Sequence, residues 1–119
     1  MAKLSSPRQD ELIAQEVKRW QEIFRHISEE KREAAMRLIE RVAFMTITLQ
    51  ILEDDIKRRG PTYKFENGQQ KMYVENPSQK SYNTMVNRYT TACDKLFALL
   101  PKEIAEDEKE KKRSAADLL

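Results

Sequence analysis

Glycine is nearly missing from this 119-residue chain, with only Gly60 and Gly68 present. Two glycines eight positions apart cannot form the glycine-rich loop that cradles phosphate through backbone N–H groups, so the common nucleotide-binding motifs are excluded. Cysteine and histidine occur once each, as Cys93 and His26. One chain therefore holds neither an internal disulfide nor a Cys/His metal cluster. A lone thiol fits a reducing cytoplasm. The opening segment MAKLSSPRQDELIAQ has no apolar stretch that would serve as a signal peptide. The longest uncharged run inside a helical pattern, Val42 to Leu52, is eleven residues, short of the ~20 that span a bilayer. These absences together lead to the expectation of a soluble intracellular protein with no membrane partner.

What the chain does have is charge and helix-forming residues. Charged residues make up 35% of the sequence, above the roughly 25% of an ordinary globular chain. They nearly cancel, 22 Lys/Arg against 20 Asp/Glu, and a net +2 is too small to imply nucleic-acid binding by charge alone. Many Glu, Lys, Arg, Leu and Ala residues with few glycines favour helix over sheet. The length suits one domain, expected over residues 1–101, followed by a charged tail over 102–119. The tail is either a frayed helix or disordered; its composition fits both.

A first helix is signalled by Ser6 before Pro7, with Gln9 three residues on, the pattern of a capping box. Ile13, Val17, Trp20, Phe24 and Ile27 then recur at spacings of four and three, which draws one apolar stripe. Ser28, followed by Glu29 and Glu30, opens a second helix, and Arg58, Arg59, Gly60 and Pro61 close it. Between them Ala35, Leu38, Val42, Met45, Leu49, Leu52 and Ile56 form an unbroken three-four repeat. Ile39, Phe44, Ile47 and Ile51 lay a second stripe beside it, so the middle of this helix is expected to be buried on more than one side.

From about residue 61 to 76 the apolar period falls to two. Tyr63 and Phe65, then Asn67-Gly68, then Met72 and Val74 predict a small β-hairpin, with Asn-Gly at the turn or a longer loop. A third helix opens at Asn76-Pro77, carries Tyr82, Val86, Tyr89, Cys93, Leu96 and Leu100, and stops at Pro101. The expected fold is mainly α: a long central helix packed with two shorter amphipathic helices, and a hairpin between helices two and three.

Helix two, Ser28 to Gly60, spans 33 residues, about 50 Å. A compact domain of this size is only about 35 Å across. Two further helices cannot cover such a rod along its whole length, so other copies of the chain are expected to do so. The alternative is a bend near Thr46 or Thr48 that folds the helix back into a monomeric bundle, although no Pro or Gly interrupts it. Leu38, Val42, Met45, Leu49, Leu52, Tyr82, Tyr89 and Leu96 are the candidate oligomerisation residues.

No catalytic constellation emerges. Cys93 lies on the apolar stripe of helix three, which suits a buried structural cysteine better than a nucleophile paired with His26. The consecutive acids Glu53, Asp54 and Asp55 point in different directions on a helix, which suits a solvated face better than a metal site. No catalytic, metal or cofactor residue is expected. For nucleic acid, the candidates are Lys57, Arg58, Arg59, Lys64, Lys71 and Lys80, set against Glu66 and Glu75 and interleaved with Tyr63, Phe65 and Tyr73. Repeated around an oligomer, this local excess would attract phosphates without reading sequence. The same residues also suit plainer duties: arginines at a helix C-terminus and lysines that keep a sheet edge soluble. Lys18, Arg19, Arg25, Lys31 and Arg32 alternate with glutamates, the pattern of a salt-bridged solvent face.

Three stretches of the chain, LIERVAFMTITLQILEDDI, the polar NG hairpin and the YNTMVNRY…LLP helix, give residues 20 to 101 a family likeness. The region resembles the small terminase subunits of tailed phages and prophages of Gram-positive bacteria. The resemblance implies a non-catalytic, ring-like homo-oligomer in the host cytoplasm. It also implies binding to viral double-stranded DNA and recruitment of the large terminase subunit, which carries ATPase and nuclease, with the C-terminal tail as the contact. Many such subunits carry an N-terminal helix-turn-helix; none is visible in this sequence. Without that motif, a structural scaffold with no DNA contact is the alternative.

Overall fold

The structure is a computed structural model that describes residues 4–100. Its elements in order are α1 (Ser6–Ile23), α2 (Glu29–Arg59), β1 (Thr62–Asn67), β2 (Gln70–Glu75) and α3 (Pro77–Leu99). This is the mainly helical architecture with an inserted hairpin that the periodicity implies. The proposed tail, 102–119, lies outside the described residues.

Ser5, not Ser6, caps α1: its side chain accepts from the Arg8 N–H at 3.2 Å. Both serines suit the role, and with Ser5 as cap Pro7 still lies in the first turn, where its missing N–H costs nothing. Gln9 does not close a capping box; its Nε2 donates to the Leu4 carbonyl at 2.9 Å. Ser28 does stand at the N-cap of α2, but its side chain makes no capping bond. Its carbonyl instead accepts from the Lys31 and Arg32 N–H groups, at 3.2 and 3.1 Å.

The chain then runs as one unbroken helix of 31 residues to Arg59, so it does not fold back near Thr46 or Thr48. The Thr46 hydroxyl is absorbed within the helix, donating to the Val42 carbonyl at 2.9 Å. At the far end the Gly60 N–H donates to the Ile56 carbonyl at 2.7 Å. Gly60 itself turns to φ +85°, a conformation that a residue with a Cβ rarely adopts.

The turn at residues 24–28 sends α2 back along α1. At the other end the Asn76 N–H donates to the Pro61 carbonyl at 2.8 Å, which sets the start of α3 beside the end of α2. Accordingly α3 returns along α2, and its last residues reach the α1–α2 turn. There lies the main core: Trp20, Phe24, Ile27, Ala35, Ile39, Val42, Cys93, Leu96, Phe97 and Leu100. Trp20 is fully enclosed, its ring centroid 6.2 Å from that of Phe24 and 5.8 Å from that of Phe97, both tilted. Such tilted aromatic pairs are favourable beyond the area they bury.

The buried face of α2 is not the single three-four stripe that its spacing suggests. Ala35, Val42 and Leu49 from that stripe are buried, but so are Ile39 and Ile47 from the second stripe, with Ala43. Because α1 and α3 both pack on α2, the centre of its buried face falls between the two stripes. Leu38, Met45, Leu52 and Ile56 are only half-buried at its margin.

The molecule is long, 63 × 31 × 23 Å with a radius of gyration of 17.9 Å, against roughly 13 Å for a compact chain of about 100 residues. Its length is about that of α2 extended by one six-residue strand, at 1.5 and ~3.3 Å per residue.

Candidate nucleic-acid interface

The hairpin end is built on one buried polar side chain. Asn76 is 0% exposed; its Nδ2 donates to Asp55 Oδ2 at 3.2 Å and to the Gly60 carbonyl at 3.0 Å. Its Oδ1 accepts from the Ser78 N–H at 3.0 Å, which caps α3 with Pro77 in the first turn. The Ser78 hydroxyl donates to Asp55 Oδ2 at 2.7 Å, while Arg58 and Arg59 meet Asp55 Oδ1 at 3.2 and 3.7 Å. Asp55 thus ties the last turn of α2 to the first turn of α3 across the root of the hairpin. The consecutive acids are therefore more than a solvated face: Asp54 is exposed, but Asp55 is a structural acceptor.

The Ser78 hydrogen bond above all, then Asn76 and the Arg59 and Arg58 guanidinium groups, hold the Asp55 carboxyl below its ordinary value against an opposing cost of burial. A depressed carboxylate contributes stability above its unfolded pKa and loses that contribution as pH falls through the folded one. The melting temperatures of the wild type and Asp55→Asn are therefore expected to converge as pH drops below about 4, the ordinary aspartate range. A gap that is constant from pH 7 to pH 3 would remove Asp55 from this role.

β1 and β2 pair antiparallel, with Tyr63 opposite Val74, Phe65 opposite Met72 and Asn67 opposite Gln70. The two loop residues are Gly68 and Gln69, one step beyond the expected Asn-Gly pair. Gly68 alone has a positive φ, +63°. Glycine at the first loop position with an ordinary second residue is the pattern of a type II′ turn rather than I′. This register puts Tyr63, Phe65, Met72 and Val74 on one face. Thr62, Lys64, Glu66, Lys71, Tyr73 and Glu75 occupy the other.

All six candidate basic residues are exposed and gathered at this end: Lys57, Arg58 and Arg59 on the last turn of α2, Lys64 on β1, Lys71 on β2, and Lys80 in the first turns of α3. Lys64 and Lys71 share the polar face of the hairpin, together with Tyr73, which is 78% exposed. Several of these charges are already engaged. Arg58 and Arg59 pair with Asp55, Arg59 also stacks 5.2 Å from the Tyr63 ring centroid, and Lys64 lies 3.7 Å from Glu66. Among the described residues Lys57, Lys71 and Lys80 make no ion pair. Of the salt-bridged solvent face expected over Lys18, Arg19, Arg25, Lys31 and Arg32, two pairs form: Arg19 with Glu16 at 2.9 Å on α1, and Arg25, just past its end, with Glu22.

Of the candidate oligomerisation residues, Val42, Leu49 and Leu96 are buried by the chain's own helices. A charge placed at Leu49 would therefore disturb the chain's own packing before any contact between chains. Leu38, Met45, Leu52, Tyr82 and Tyr89 remain half-buried. Tyr82 faces Glu53, and burial, then that carboxylate, raise its phenol above the ordinary value. Burial chiefly does the same for Tyr89, which meets Thr46 and Cys93. Cys93 is buried, whereas His26 is exposed and accepts from Arg25 Nε at 3.1 Å. The sequence reading missed the Asp55–Asn76–Ser78 cluster. Asn76-Pro77 signalled a helix start, but nothing local linked it to a carboxylate 21 positions earlier.

Fold and site together define an elongated helical protein with six exposed basic residues at its hairpin end, on α2, the hairpin and α3, and Tyr73 exposed among them. Among the described residues no three His, Cys, Asp or Glu side chains are grouped to hold a metal ion, and no helix is long and apolar enough to cross a membrane. A family model described as phage terminase, small subunit, matches residues 17–113, and the chain belongs to that family. No curated protein and no solved structure matches it.

Proposed function

We propose that the chain is the non-catalytic adaptor of a phage packaging motor, working in the host cytoplasm as a ring-like homo-oligomer. It binds viral double-stranded DNA and recruits and regulates the large terminase subunit. Family membership over residues 17–113 carries this reading. The gathering of six exposed basic residues at the hairpin end supports its DNA-binding part. Leu100, from which the C-terminal segment departs, packs at the opposite end with Phe24 and Ile27. The large subunit would be engaged through residues 102–119. Leu38, Met45, Leu52, Tyr82 and Tyr89 lie at the margins of α2 and α3, where neighbouring subunits would complete their burial.

Among the described residues the hairpin end of each subunit offers three cations outside its ion pairs, Lys57, Lys71 and Lys80, so affinity would come from many subunits that act together. Gel-shift titrations should show tight binding at 50 mM salt and a loss of about 10³–10⁵ in affinity by 200 mM, as 6–10 phosphate contacts predict. The triple variant Lys57→Glu, Lys71→Glu, Lys80→Glu should bind at least tenfold more weakly with a flatter salt slope. A competing reading, a scaffold with no DNA contact, draws on the ion pairs that occupy Arg58, Arg59 and Lys64. Failure of the wild type to bind at 50 mM salt would establish that scaffold reading.

A further inference from the structure

Four large apolar side chains are exposed among the described residues: Phe44 at 53%, Phe65 at 44%, Met72 at 50% and Tyr73 at 78%. Phe65 and Met72 are a cross-strand pair on the hairpin face that also carries Tyr63 and Val74. No charged residue of the strands lies on that face: Lys64, Glu66, Lys71 and Glu75 are on the reverse, and the one charge against it, the Arg59 guanidinium over Tyr63, is paired with Asp55. A two-stranded hairpin is marginal in water without something to lean on. Its own chain leaves Phe65 and Met72 about half exposed.

Phe44 belongs to a matching surface. Phe44, Thr48 and Ile51 fall at i, i+4 and i+7 on one face of α2, in the middle of the eleven-residue run from Val42 to Leu52 that contains no charge. Three uncharged helical turns, about 16 Å, match the roughly 20 Å of a six-residue strand. Phe65 and Met72 can cover Phe44, Thr48 and Ile51 with no charged residue within either set. The hairpin cannot do this within its own chain. The molecule is 63 Å long, about the length of α2 plus one strand, so the hairpin projects beyond the end of α2 and away from the strip.

We infer that the uncharged hairpin face of one subunit (Tyr63, Phe65, Met72, Val74) docks on the Phe44–Thr48–Ile51 strip of α2 in a second copy of the chain. The two patches are different, so the contact is head-to-tail: every subunit gives a hairpin to one neighbour and receives one from the other. Contacts of this kind close into a ring when the rotation permits. The inference rests on the oligomeric part of the function proposed above and names the surfaces that would build it.

Complementation of two aspartate variants tests it. Phe44→Asp keeps a good hairpin but loses the receiving strip; Phe65→Asp keeps the strip but loses the hairpin face. Both positions are exposed, so the helix content seen by circular dichroism should not change. In native mass spectrometry the wild type should be a higher-order species, and each variant alone should be a monomer of about 14.1 kDa. Mixed together, they should form a one-to-one heterodimer and nothing larger, because one good interface remains and neither free end can extend. The mixture tolerates a disordered hairpin in Phe65→Asp, since that hairpin is not used. Assembly of either variant alone as in the wild type, or a mixture that stays monomeric, would overturn the docking surface while leaving the oligomer intact. A monomeric wild type would overturn the oligomeric reading and this inference together.

Discussion

Trp20→Ala is expected to be the most damaging single substitution, costing about 3–5 kcal/mol through lost burial and the cavity left behind. Trp20 is the largest fully enclosed side chain, and it joins all three helices: it lies on α1, packs in one cluster with Ile39 and Val42 of α2, and meets Phe97 of α3. At about 4–8 °C per kcal/mol for a domain of this size, the melting midpoint should fall by more than ~12 °C. The measurement is a thermal melt followed by circular dichroism at one fixed protein concentration, because assembly adds its own stabilisation. Trp20→Phe should lose much less, since a ring still fills part of the site. A Trp20→Ala midpoint within a few degrees of wild type would mean that the three helices do not share this core.

Asn76→Ala should be next in size, and its effect should be local to the hairpin end. The substitution removes the side-chain cap of α3, worth about 1 kcal/mol, and leaves the Gly60 carbonyl without its side-chain donor, worth a further ~1–3 kcal/mol. Asp55 loses one of its two neutral donors at the same time. Amide exchange should accelerate across β1, β2 and the first turn of α3, while the Trp20 core at the other end keeps its protection. Exchange that quickened evenly along the whole rod would show that the Asn76 cluster supports the fold globally rather than holding the hairpin root. Asn76→Asp should be milder for the cap, because its oxygen can still accept from the Ser78 N–H, but it places a second carboxylate beside Asp55.

The two predictions differ in how visible their residues are in the sequence. Trp20 stands on a regular apolar stripe with Val17 and Phe24, and its burial follows from spacing alone. Asn76 carries a helix-start signal, and the helix does start there; that its other end grips Asp55 and Gly60 depends on where α2 stops relative to α3. The hairpin shows the same division. Alternation placed the strands, yet the turn sits one residue later than Asn-Gly suggests. Glycine permits a positive φ at either loop position, so pairing between the strands chose the register.

Periodicity and capping chemistry in the sequence by themselves determined three helices, the stop at Gly60 and a hairpin before α3. All of these are local, set by residues within a few positions of one another. Only the tertiary structure decided which stripe of α2 faces inward, because that depends on two helices that approach it from different sides. For the same reason only it separated Val42, Leu49 and Leu96, which the chain buries for itself, from Phe44, Phe65 and Met72, which it leaves uncovered. An apolar residue declares in the sequence that it needs cover; which chain supplies the cover is a matter of geometry.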